Sequence, residues 1–106
     1  MESSTATRRL GALAQETRLA IFRLLVQQGP AGISAGQIAS TLNLAAPTLS
    51  FHLKELSHAG LATSRQSGRF VHYAAHYAAM NELIAYLTEN CCAGAACRPA
   101  VPCCEA

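Results

Sequence analysis

All five cysteines of this chain, Cys91, Cys92, Cys97, Cys103 and Cys104, lie in its last sixteen residues, CCAGAACRPAVPCCEA. Thiolates are soft ligands and select soft ions. Trivalent arsenic and antimony belong to that class, and three sulfurs in a pyramid satisfy them. Zinc takes four ligands, usually in C-x₂₋₄-C pairs. The spacing here, CC-x₄-C-x₅-CC, is a poor zinc pattern, although the count alone leaves Zn(II), Cd(II) and Pb(II) open.

Neighbouring residues of an intact helix do not face each other. For Cys91 and Cys92 to share one ion, a helix reaching them must end or unwind there. Asn90 and Gly94 tolerate the left-handed conformation that ends helices. The loop Ala93-Gly94-Ala95-Ala96 can then fold Cys97 back, so Cys91, Cys92 and Cys97 are the expected ligands. Cys103 and Cys104 follow Pro99 and Pro102 and serve as spare ligands, a capture arm or a second site. Other uses of the thiols stay open: disulfides under oxidation, redox sensing, or a tail without function. A bond between adjacent cysteines is strained.

Enzymatic use of the thiols, as in a disulfide or arsenate reductase, fares badly. A nucleophilic cysteine wants a helix N-terminus or cationic neighbours. Cys91 and Cys92 instead follow the end of a helical pattern beside Glu89, and there is no Cys-x-x-Cys or phosphate-cradling loop. The chain reads as a non-enzyme. A metallochaperone, with the helical part as a docking module, is a further alternative.

Along the chain, helices come first. Thr5 to Ala14 carries Leu10, Leu13 and Ala14 on one side, and Glu16 to Gln28 follows with Leu19, Phe22, Leu25 and Val26 at helical spacing. Gly29-Pro30-Ala31-Gly32 stops it. Ser34-Ala35-Gly36-Gln37 is a capping box that opens a short helix to Leu42. Pro47 suits the first turn of a fourth helix, which runs to His58-Ala59 and stops at Gly60. Leu61 to Arg65 and Arg69 to Ala74 flank Gln66-Ser67-Gly68 as a β-hairpin. Tyr77 to Asn90 is a last helix. The expected fold is mainly α, a winged helix-turn-helix with a two-stranded wing. Residues 1–90 form the domain and 91–106 the cysteine-rich tail.

On the last helix Met80, Leu83, Ile84 and Leu87 make an apolar stripe, widened by alanines beyond what one core needs. Packing inside the monomer would account for it. A homodimer interface built from Leu10, Leu13, Met80, Leu83, Ile84 and Leu87 accounts for it better, because a chain of 106 residues has little interior.

Two short helices joined by a tight turn place the second in the major groove of duplex DNA. Leu49, Leu53 and Leu56 form its buried side. Pro47, Ser50, Phe51, Lys54 and His58 face away, with Thr48 and His52 on the flanks. Serine, threonine and histidine can bond base edges or phosphates, and Lys54 can neutralise a phosphate. An ordinary solvated polar face would explain Lys54 and His58. It does not explain Phe51, which needs a cover such as a thymine methyl or a partner surface. Arg65 and Arg69 at the wing tip add reach to backbone or minor groove, with solubility as the plain alternative. Arg18 and Arg23 are assigned to ion pairs or solvent.

The net charge of +2 is too weak for a histone-like field. No stretch is long and apolar enough to span a membrane, and no secretory signal is visible, so a cytoplasmic location is expected. Disulfides are rare there, which favours metal binding or redox chemistry for the thiols.

These residues together resemble the ArsR/SmtB family of metal-responsive bacterial repressors. The resemblance rests on Glu16-Thr17-Arg18-Leu19-Ala20-Ile21, Gln37-Ile38-Ala39, Pro47-Thr48-Leu49-Ser50-Phe51-His52-Leu53, Ala59-Gly60-Leu61 and Gly68-Arg69, within about residues 7 to 90. It implies a homodimeric winged helix, bound to operator DNA when metal-free and released when metal binds. Two of the family's sites do not carry over. The third helix lacks the Cys-x-Cys of many arsenic sensors, and the last helix lacks the paired Asp/His spacing of zinc sensors. Some arsenical repressors of the family place thiols at the end of the last helix, and Tyr86-Leu87-Thr88-Glu89-Asn90-Cys91-Cys92 resembles that branch. The implied inducer is As(III) or Sb(III), without an organic cofactor. A repressor sensing another soft metal or thiol oxidation through the same cysteines is the alternative.

Overall fold

The computed structural model describes residues 1–94. Five helices and three strands follow in order: α1 Ser3–Leu13, α2 Glu16–Gln28, β1 Ile33–Ser34, α3 Ala35–Leu42, α4 Ala46–His58, β2 Ala62–Ser67, β3 Phe70–Ala75 and α5 Tyr77–Thr88. Local chemistry sets most of the boundaries. The Gln15 side chain accepts from the Arg18 amide at 2.8 Å and starts α2. Ser34 and Gln37 form the expected capping box, which satisfies orphan donors at both ends of the turn. Asn43 closes α3 in the left-handed conformation, and Pro47 lies in the first turn of α4.

The hairpin turn is shorter than the sequence suggested. Ser67 pairs with Phe70, leaving only Gly68 and Arg69 as the loop. Gly68 has φ of +62°. A positive φ at the first central residue belongs to the two-residue turns whose twist matches that of the strands. A third strand joins the wing: β1 pairs antiparallel with β3, giving the order β1-β3-β2. The turn into β1 depends on Gly32, whose φ is +84°. A Cβ there would lie 2.7 Å from the Tyr73 carbonyl oxygen, so the close approach of β1 to β3 excludes any larger residue.

The core gathers one stripe from each helix. Ile21 and Leu25 of α2, Ile38 of α3, Leu56 of α4 and Leu61 just after it are fully buried. Two polar links fix α5 to this core. The Tyr77 hydroxyl donates to the Val26 carbonyl at 2.8 Å, capping the end of α2. Arg9 of α1 donates to the Ala79 carbonyl at 3.1 Å and to Glu82 at 3.2 Å. A Cβ added at Gly60, just past the end of α4, would meet the Arg9 guanidinium at 3.7 Å. Arg9 therefore ties α1 to α5, the helix that precedes the thiols, and lies near Gly60 beyond α4.

Candidate nucleic-acid interface and thiol pair

Helix α4 presents Pro47, Thr48, Ser50, Phe51 and Lys54 to solvent, as expected. Phe51 is 56% exposed, an unusual fraction for a phenylalanine on a helix that also supplies core. The Arg18 guanidinium lies 6.0 Å from its ring centroid, at the outer range of a cation–π contact. His52 is the correction. It was expected at the flank of the reading face, but it is buried. Leu49, His52, Leu53 and Leu56 occupy the i, i+3, i+4, i+7 positions of a single inward stripe, so helical geometry takes His52 with the leucines.

The two wing arginines also part company. Arg69 lies in the turn itself. Arg65 lies further down β2, opposite His72, and donates to the Ala31 carbonyl at 3.0 Å. It braces the loop before β1 and does not flank the tip. Phe70, beside Arg69, is 62% exposed, although in sequence it reads as a plain strand residue.

The six expected interface residues line one apolar groove of about 500 Å³ between α1, α2 and α5, joined by Leu19 and Val26. Leu10, Ile84 and Leu87 are 42%, 53% and 57% exposed. Leu83 differs. With Ala79 it makes the inward stripe of α5 and is 5% exposed, so it serves the protomer's own packing.

Beyond α5 the chain changes hand. Asn90, Cys92 and Ala93 all have positive φ, within a short 3₁₀ turn at Cys91–Gly94 for the last two. The turn brings the Cys91 and Cys92 sulfurs to 3.7 Å, both residues exposed. That is far beyond the S–S bond of about 2.05 Å, so these two are not bonded to each other. An ion placed at a typical thiolate distance of about 2.3 Å from both would see an S–ion–S angle of about 107°, close to tetrahedral or pyramidal values. The pair thus fits a soft ion. Among the described residues no three histidine, cysteine or acidic side chains converge on one point. Cys97, Cys103 and Cys104 lie outside the described residues.

A family model described as a helix-turn-helix domain matches residues 13–65, from the end of α1 to the middle of β2. The chain belongs to the helix-turn-helix family of ArsR-like transcriptional regulators. The ArsR-like transcriptional regulator from Rhodococcus sp. RHA1 is 30% identical, over 86% of this chain and 82% of that one, with a TM-score of 0.73. The homodimeric winged helix-turn-helix DNA-binding domain of Mb0332 from Mycobacterium bovis, a possible ArsR-family regulator, is 27% identical over 82% of this chain and 81% of that one, with a TM-score of 0.65. A possible transcriptional regulator for arsenical resistance is 29% identical over 74% of this chain and 79% of that one, with a TM-score of 0.66. In sequence, the chain is 40% identical over 58 residues to the uncharacterized HTH-type transcriptional regulator YceK of Bacillus subtilis (strain 168). That match spans 55% of this chain and 57% of the Bacillus protein, little more than half of its length. No helix among the described residues is long and apolar enough to cross a membrane.

Proposed function

We propose that the protein is a homodimeric repressor that binds operator DNA through α4 and the wing, and that trivalent arsenic or antimony bound by Cys91, Cys92 and Cys97 releases it. The observation that carries the sensing half is the 3.7 Å approach of two exposed sulfurs on adjacent residues. Adjacent side chains reach such proximity only where the helix has ended; α5 ends at Thr88 with Glu89 extended, and Asn90, Cys92 and Ala93 beyond it are left-handed. The DNA half rests on the exposed polar and aromatic face of α4 and on Arg69 in the wing turn. The homodimeric Mycobacterium domain and the possible arsenical-resistance regulator are consistent with both halves.

The chain's own residues suggest how the halves communicate. Ile84 and Leu87 lie in the groove proposed for the second copy, and Cys91 follows one turn after Leu87. A metalloid supplies three strong bonds to thiolates, and gathering those thiolates constrains the end of α5. Arg9 links α5 to α1 and lies near Gly60, just past the end of α4. Reading two half-sites requires the recognition helices to be spaced roughly 34–36 Å apart. A shift in the α5 pairing changes that spacing. Couplings of this kind need about 1–3 kcal/mol per effector site, and more for a near-complete switch.

The test is fluorescence anisotropy of a labelled duplex from the protein's own promoter, with reduced protein, titrated with arsenite. Salt-dependent binding that arsenite abolishes is the expected result. The Cys91→Ser, Cys92→Ser double variant should bind the duplex as well as wild type and ignore arsenite. Loss of DNA binding by a folded double variant would overturn the division of labour. Wild-type binding that ignores arsenite but yields to Cd(II) or to an oxidant would transfer the role to those effectors.

A further inference from the structure

Between α1, α2 and the C-terminal half of α4 lies a polar cleft of about 290 Å³, apart from both the thiols and the apolar groove. Arg8 enters it from α1 and Arg18 from α2, while α4 supplies Glu55 and His58. Gly11 and Ala59 keep its walls low. Arg18 is the unusual member. Its side chain is only 15% exposed, and its Nε is buried with no hydrogen-bond partner among the described residues. Its ion pair to Glu55 is loose at 3.8 Å. Buried guanidinium N–H groups without acceptors are costly. A guanidinium is also the group best shaped to receive two oxygens of a phosphate at once.

We propose that this cleft seats a phosphate group, held by Arg18 and Arg8 with the His58 ring at its edge, and that its source is a backbone phosphate beside the groove entered by α4. The inference rests on the DNA-binding reading above. Position favours the backbone as the source. Phe51, Glu55 and His58 follow one another at i, i+4 and i+7 along one side of α4, so the cleft continues the reading face. Arg18 spans the join, with its guanidinium 6.0 Å from the exposed Phe51 ring. Glu55 opposes an anion. Its side chain is 43% exposed, so it can turn to solvent and yield Arg18 to the stronger ligand. A phosphate contact here positions the duplex without reading its sequence.

The test measures anisotropy across a salt series for the full-length reduced chain, with an operator duplex and an unrelated duplex. Arg8→Gln should weaken both by about tenfold and make the salt slope shallower by about 1 per protomer. Glu55→Gln should tighten both. Arg18→Gln is interpreted only where its circular dichroism and melting match wild type. Arg8 and Glu55 reach solvent, so their variants keep the test decisive. If Lys54→Gln weakens binding while Arg8→Gln and Glu55→Gln leave affinity and slope unchanged, the DNA reading stands and the cleft proposal is overturned. A parallel arm compares melting in inorganic phosphate and in chloride at equal ionic strength. A rise in phosphate that Arg8→Gln abolishes identifies free phosphate as a source for the same seat. If wild type binds neither duplex, the DNA reading fails, and the melting arm alone decides the cleft: no rise overturns it.

Discussion

Replacing Ile84 with glutamate tests whether the apolar groove is closed by a second copy. Leu10, Leu19, Ile84 and Leu87 are 42–57% exposed around it. Full burial of such a side chain contributes about 1.5–3 kcal/mol, so covering the exposed halves of these four yields about 3–6 kcal/mol per protomer. A symmetric pair counts this twice, about 6–12 kcal/mol, which is of the size needed to offset the about 4–15 kcal/mol cost of association. Ile84 alone accounts for about 1–1.5 kcal/mol per protomer by its 53% exposure. Ile84→Glu forfeits that on both sides and buries a carboxylate from each copy in an apolar surface. The desolvation cost of each is several kcal/mol. Dimer affinity should therefore fall by more than about a hundredfold, which corresponds to about 3 kcal/mol. Sedimentation equilibrium against concentration measures it, with circular dichroism to show that the helices remain. Ile84 is half-exposed in the protomer, so the monomer should stay folded. Operator binding should weaken with dimerisation, since one recognition helix reads only one half-site. A folded variant that dimerises as wild type does would refute the assignment of this groove.

Two further expectations concern stability. Gly32→Ala places a Cβ 2.7 Å from the Tyr73 carbonyl at a φ of +84°, so β1 must leave β3, and the melting temperature should drop by a shift worth about 2 kcal/mol or more. Tyr77→Phe removes the donor to the Val26 carbonyl and should cost about 1 kcal/mol in urea unfolding, with an unchanged m-value. An unchanged midpoint in either variant would show that the contact contributes nothing to the folded state.

The local grammar of this chain was readable because helix ends are decided by nearby residues. Ser34 and Gln37 cap α3 within four residues of each other, and Pro47 and Asn43 act through their own backbone preferences. The bounds of α2 and α3 follow from such signals, and the leucine stripe of α4 follows from helical period. The same period contained the fate of His52, three residues after Leu49 and four before Leu56. Its polarity masked a geometry that the leucines already implied.

Contacts across long stretches of sequence needed the folded chain. A two-residue strand such as β1 has no pattern of its own, and only pairing with β3 creates it. Arg65 looks like a wing-tip cation until the fold brings it to the Ala31 carbonyl, 34 residues away. Arg8 and Arg9 carry no motif, and the stretch 16–21 gives Arg18 no assigned role in binding, yet packing makes Arg9 a tether between α1 and α5 and gathers Arg8 and Arg18 in a cleft with His58. Composition and helical period alone reveal the residues available for chemistry: the thiols at the end, the polar and aromatic face of α4, the apolar stripe of α5. Tertiary structure decided which of them meet, because side-chain proximity depends on backbone handedness and packing that no single spacing encodes. Cys91 and Cys92 show both halves, adjacent in sequence by composition, and 3.7 Å apart because the chain turns left-handed after α5.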